Sequence, residues 1–214
     1  MSKYLVPVTG EQLTLRLTRL VVGLVVFGIG IGLMLQSELG VPPWDVLHQG
    51  LARRFGLTVG LWSIIVSVVV LLAWLPLREA YGLGTLLNAL IIGLVIDMTA
   101  LVVPTASSTT VAWGMLVAGV LLIGVASGLY IGADLGPGPR DGLMTGIAKR
   151  GPSIRLTRAV LEIAALTVGW VLGGRFGLGT IVYALAIGPL VQYFLPRLAV
   201  SPRIRVDPFD HPAR

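Results

Sequence analysis

Leu39-Gly40-Val41-Pro42-Pro43-Trp44-Asp45-Val46-Leu47-His48-Gln49-Gly50 is answered 96 positions later by Leu135-Gly136-Pro137-Gly138-Pro139-Arg140-Asp141-Gly142-Leu143-Met144-Thr145-Gly146. The correspondence extends outward. Gly28–Arg54 lies over Gly124–Arg150 with eleven identities in 27 pairs, among them Gly28, Gly32, Gly40, Pro43, Asp45 and Gly50. After a slip of one residue it resumes: Tyr81–Gly93 lies over Phe176–Gly188 with eight identities in 13. Shared runs such as G-L-G-T and P-x-D-x-L are too specific for composition alone, so the chain reads as an internal duplication.

The medium in which the two copies fold follows from the bulk numbers. Of 214 residues, 55% are hydrophobic and 12% charged, with a mean hydropathy of +0.90. Soluble domains carry about 25% charge, so this surface is too apolar to hydrate and the chain reads as a multi-spanning membrane protein. The formal charge of +6 sits on loops and ends rather than in one patch, which argues against nucleic acid as a partner. There is no Cys, and the only histidines are His48 and His211, so neither a disulfide framework nor a metal-ligand cluster is expected. Nor is an N-terminal cleavage signal evident: Arg16 and Arg19 precede an apolar run without a clear A-x-A site, and the segment is expected to stay as the first span.

About 20 apolar residues cross a ~30 Å hydrocarbon core. Six stretches qualify as spans: Leu20–Ser37, Leu57–Leu77, Ala80–Val103, Val111–Ala133, a short one at Ala159–Gly174 carrying Glu162, and Phe176–Pro196. Gly28-x-x-x-Gly32 and Gly124-x-x-x-Gly128 would let other helices approach closely, within the chain or in a homodimer. With both termini in the cytoplasm, thirteen of the 16 basic residues fall on the inner side and only Arg53, Arg54 and Arg175 outside, as the positive-inside rule requires. Three spans per copy is an odd number, so the second copy enters from the opposite face. The predicted fold is therefore all-α, with about six transmembrane helices in two inverted three-helix repeats. Each repeat carries a short P-x-D helix between its first two spans. The divisions are a basic lead (1–19), repeat one (20–104), repeat two (105–196) and a basic tail (197–214).

The P-x-D segments carry the functional expectation. Proline favours the first helical position and a carboxylate in the first turn answers the free N–H groups, so Pro43 with Asp45 and Pro139 with Asp141 mark helix starts. Each helix would run about ten residues, to Arg54 and Arg150, too short to cross. It is either interfacial, with the Asp as a first-turn group, or it dips back into the membrane and aims its N-terminus at a shared axis. The copies differ where a site would need them to: Trp44 stands opposite Arg140, His48 opposite Met144, Gln36 opposite Gly132. Trp44 and Arg140 would stack on and charge-pair a planar or anionic group, or serve as an interface anchor and a topology charge paired with Asp141 or Asp134. His48 is either a satisfied polar residue or a proton carrier. Carboxylates inside a membrane cost about 2.5–3.5 kcal/mol and tend to be functional. Glu162 has Arg158 four residues earlier as its expected partner, whereas Asp97 lies near the outer end of its span, where water would reach it. Asn88 and Tyr183 hold matching positions after G-L-G-T, facing the bundle interior or bonding between helices.

Together, Gly28-x-x-x-Gly32, then Leu39-Gly40-x-x-Pro43-Trp44-Asp45-Val46-Leu47, then Gly82–Thr85 resemble the YczE-type membrane proteins, related to the YitT family. The resemblance covers about Leu20–Leu195; the second copy departs from it in having Arg140 where the first has Trp44. It implies a bacterial plasma-membrane protein, without an established substrate or reaction. Two functions are carried forward: a small secondary transporter or exporter with its site near the P-x-D helix starts, and a non-transporting protein that binds a lipid or protein partner in a regulatory role. No H-E-x-x-H or G-x-S-x-G constellation is present, and no enzyme activity or cofactor is expected.

Overall fold

The computed structural model describes residues 12–200; the start of the basic lead and the end of the tail, with Arg203, Arg205 and His211, lie outside the described residues. Among the described residues eight helices follow in order: α1 (Leu13–Ser37), α2 (Pro43–Phe55), α3 (Val59–Leu77), α4 (Leu83–Val102), α5 (Thr109–Gly132), α6 (Pro139–Ala148), α7 (Ile154–Val171) and α8 (Leu178–Leu198). The order long, short, long, long occurs twice. Five helices (α1, α3, α4, α5 and α8) are long and apolar enough to cross a membrane. The fifth expected span, α7, is not among them. It is 18 residues long but carries Arg155, Arg158 and Glu162. It also starts five residues before the expected Ala159, because Ser153 caps it by accepting from the Leu156 N–H; Thr58 caps α3 in the equivalent way, accepting from Leu61. Leu101, Val171 and Leu185 are among many large apolar side chains left exposed, as expected where lipid tails are the solvent.

The glycines of the two G-x-x-x-G motifs are spent inside the chain. Gly28 and Gly32 of α1 lie against Val95 and Thr99 of α4, and Gly124 and Gly128 of α5 against Leu190 and Phe194 of α8. The seam between the copies, α1 on α5, uses other glycines: a Cβ on Gly119 would sit 2.6 Å from the Gly30 carbonyl oxygen, and one on Gly23 2.9 Å from the Tyr130 nitrogen. A homodimer would therefore need another surface. Arg16 donates to the carbonyls of Ala133 (2.8 Å) and Asp134 (2.5 Å), and Arg19 to that of Leu198, so the start of α1 and the ends of α5 and α8 share one face.

The two repeated motifs lock into each other across the copies. The Gly179 N–H donates to the Leu39 carbonyl and the Gly84 N–H to the Leu135 carbonyl, each at 2.8 Å. The L-G of each P-x-D segment thus rests on the G-L-G-T turn of the other copy. Gly40 and Gly136 take φ of 121° and 119° there, a region side chains resist. Thr85 and Thr180 complete the turns by accepting from the Gly82 and Gly177 N–H groups.

The short helices cross over as well: α2 packs on α7, and α6 on α3. Where α2 meets α7, glycine is on the long helix, and a Cβ on Gly169 would lie 2.4 Å from the Leu47 nitrogen and 2.5 Å from the Val46 carbonyl carbon. Where α6 meets α3, glycine is on the short helix. Gly142 lies under the fully buried Trp74, whose indole N–H donates to the Pro139 carbonyl at 3.0 Å. A Cβ on Gly142 would come within 2.0 Å of that ring. Gly142→Ala is therefore expected to destabilise the protein by about 1–3 kcal/mol through overpacking, read as a fall in melting temperature in detergent. Gly114→Ala, with open space around it, gains helix propensity of up to about 1 kcal/mol and serves as the opposite-signed control. Gly40→Ala combines a left-handed backbone with a Cβ 2.8 Å from Thr180 Oγ1 and is expected to cost about 1–3 kcal/mol; an unchanged melting temperature would refute the interlock.

Candidate functional site

The interlocked loops deliver the N-termini of α2 and α6 to one place inside the bundle. Both helices open with proline, at Pro43 and Pro139, and carry an acidic residue in the first turn, Asp45 and Asp141. The N-cap residues, Pro42 and Gly138, offer no side-chain cap, and the side-chain hydrogen bonds of the two carboxylates run to His48 and to Tyr130. Asp45 is fully buried. Its Oδ1 lies 3.0 Å from His48 Nδ1 and 3.8 Å from Arg140 Nη2. Asp141 instead stands on the wall of a cavity, where its Oδ2 accepts from the Tyr130 hydroxyl at 3.0 Å. Equivalent positions thus do different work.

Trp44 and Arg140, also equivalent in the two copies, meet. The guanidinium carbon lies 5.2 Å from the indole ring centroid, within cation–π range. Arg140 therefore takes Trp44 and Asp45 of the other copy as its partners rather than Asp134 or Asp141. Trp44 is buried, 9% exposed, which removes the interface-anchor reading. The Trp44 Nε1, Asp45 Oδ2 and His48 Nε2 atoms are buried without a hydrogen-bond partner. Three such atoms on little more than one turn of helix is dense, since native interiors leave only a few unsatisfied groups per 100 residues.

The cavity has a volume of about 270 Å³. Of the residues singled out from sequence, Trp44, Arg140, Asp141, Asn88, Glu162 and Tyr183 line it. Asp45 and His48 do not line it; both are fully buried, with Arg140 of the wall 3.8 Å from Asp45. Asp97 is elsewhere. It is not a free carboxylate at the span's end, because it accepts from the Gly60 N–H (2.8 Å) and the Thr58 hydroxyl (2.5 Å), joining α4 to the start of α3. Glu162 pairs with Arg158 at 2.9 Å, as its spacing predicts. Sequence reasoning missed Ser63, Ser67, Ser127 and Tyr130, which also line the cavity. Their signal was present: Ser63 and Ser67 are four apart, and Ser127 and Tyr130 three apart, in otherwise apolar spans, which puts each pair on one helix face.

The lining follows the duplication. With the shift of 95 set by the paired caps Thr58 and Ser153, Ser63 corresponds to Arg158, Ser67 to Glu162, Asn88 to Tyr183 and Ile92 to Ile187. All eight face the cavity. Ile92 and Ile187 are the same, but the other three pairs have diverged in size or charge, so corresponding positions furnish the site asymmetrically.

Residues 14–196 match the model of a family described as "Family of unknown function (DUF6198)". An uncharacterised protein of Haemophilus influenzae is 43% identical over 188 residues, covering 86% of this chain and 85% of its own. The uncharacterised membrane protein YczE of Bacillus subtilis is 37% identical over 190 residues, with coverage of 87% and 88%. The uncharacterised protein YyaS of the same organism is 31% identical over 186 residues, with coverage of 82% and 90%. No solved structure matches the chain. The residues that build the interlock and the cavity thus lie inside the matched region, and the chain belongs to the YczE-like family of membrane proteins, DUF6198.

Proposed function

We propose that the chain is a small secondary transporter or exporter that holds a small molecule in the cavity between the N-termini of α2 and α6. In this reading α1, α3 and α4 form one three-span repeat, α5, α7 and α8 its inverted copy, and α2 and α6 are half-helices that dip into the membrane. The observation that carries it is the cavity's lining by corresponding residues of both copies. An axis shared by inverted repeats is where such folds place substrate. Non-helical backbone beside the half-helices is tolerated in a membrane only against protein or a wet cavity.

A difference between corresponding helix pairs supports movement. Helices α3 and α4 are packed together: Gly60 and Gly93 touch backbone to backbone, and Asp97 ties the start of α3 to α4. Their counterparts α7 and α8 barely meet. The places of Gly60 and Asp97 are taken by Arg155 and Gln192, and Gly188, the counterpart of Gly93, faces open space. Arg158 and Glu162 of α7 and Gln192 of α8 line the cavity beside that gap. With both termini in the cytoplasm, the orientation the basic residues favour, the gap opens inward and the Asp97 contact closes the outward side. One door shut and its counterpart ajar is the form of a carrier facing the cytoplasm, and the other state would exchange the two.

The chain's lack of Cys makes the test clean. Ser63→Cys is expected to react with a membrane-impermeant thiol reagent added from the cytoplasmic side, in inside-out vesicles, and to be protected from the opposite side. Adding Asp97→Ala removes the outer tie and is expected to raise labelling from the periplasmic side several-fold. Accessibility from neither side, or labelling indifferent to Asp97, would overturn alternating access and leave the regulatory binder as the better reading.

A further inference from the structure

We infer that the cavity takes a small organic cation, an ammonium-bearing solute whose charge rests against Asp141; this builds on the cavity being a solute site, as proposed above. The argument is one of charge matching. Two cations face the cavity, and each has its own carboxylate: Arg158 has Glu162 at 2.9 Å, and Arg140 has Asp45 at 3.8 Å behind the wall. Asp141 is the carboxylate with no ion pair of its own, the Arg158 charge reaching it only from beyond ion-pair distance. Among the described residues its hydrogen bond comes from the neutral Tyr130 hydroxyl, and no Lys, Arg or His nitrogen forms an ion pair with it. It is exposed to the cavity, so a ligand reaches it without displacing a protein partner.

An anion fits less well, although two helix N-termini and an arginine meet here. Each N-terminus already carries a carboxylate in its first turn, which occupies the field that would attract an anion. An added anion would be the fourth negative charge set against two positive ones. A cation would instead complete the pairing. The surroundings suit an organic cation rather than a bare metal ion. Tyr130, with Phe27 edge-on to it at 5.9 Å between centroids, Tyr183 and Trp44 give the cavity aromatic walls, and ring faces attract alkylammonium groups.

The experiment uses purified full-length protein in detergent and three solutes of one shape: phenethylammonium, phenylacetate and 2-phenylethanol. Phenethylammonium is expected to raise the melting temperature in a saturable way, and the other two to leave it unchanged. Asp141→Asn, nearly isosteric, is expected to weaken that binding about tenfold or more, the usual size of a charged contact. Tyr130→Phe removes the competing hydroxyl and is expected to keep or tighten binding, an effect that damage to the fold would not produce. A shift with phenylacetate that Arg140→Gln abolishes would overturn the cation assignment while leaving the solute site intact. A phenethylammonium shift indifferent to Asp141, or no shift with any of the three, would overturn it too, and the Ser63→Cys labelling then decides separately whether the cavity opens at all.

Discussion

Two backbone hydrogen bonds, from Gly179 to Leu39 and from Gly84 to Leu135, hold the rest in place. Irregular backbone buried from water has no solvent to bond, and each unmet peptide group costs roughly 1–3 kcal/mol. The segments that lead into α2 and α6 meet this by borrowing the turn that opens a long helix of the other copy. The approach is so close that Gly82 and Gly177 admit no Cβ: one would lie 2.3 Å and 2.4 Å from the carbonyl oxygens it faces. The positions of the two short helices, and therefore of the cavity, depend on this exchange.

The same exchange explains why the duplication stayed readable. Leu-Gly before the P-x-D helix and Gly-Leu-Gly-Thr before the last span are partners in one contact, so neither changes freely. The two runs that first revealed the repeat are the two halves of one joint. The short helices were legible for a related reason: proline at the first helical position and a length near ten residues leave little choice, and α2 and α6 start where the sequence predicts. Less legible was α7, whose start is set by a serine cap and whose Arg158 and Glu162 stand on the cavity wall. Partnership across the copies was hidden as well. Spacing brings Arg158 to Glu162 on one helix, but nothing in the order of residues says that Arg140 will lie over Trp44 or that Asp97 will meet Gly60.

Within the site, a common scaffold holds unlike groups. Asp45 sinks behind the wall with His48 and faces a guanidinium; Asp141 looks into open space past a tyrosine. Burial sets them apart: Asp45, cut off from water, is held between His48 and the Arg140 guanidinium, whereas Asp141 is exposed to the cavity. The serines of α3 and the ion pair of α7 repeat the theme on the opposite walls. Symmetry brings eight corresponding positions to one cavity, and divergence gives that cavity a polarity.

The alternation of large and small residues where the short helices cross has a consequence for the origin of the chain. Trp74 fills the space over Gly142, while Val46 and Leu47 lie against Gly169. Two copies of the first half would press Trp74 onto Val46 twice, and two copies of the second would leave Gly169 over Gly142 with a void. Neither half is therefore a good partner for itself, and each is shaped for the other. A self-pairing ancestor of half this length would have needed residues of middle size at both places. Once fused, the two halves gained a mutual fit that neither could regain by separating.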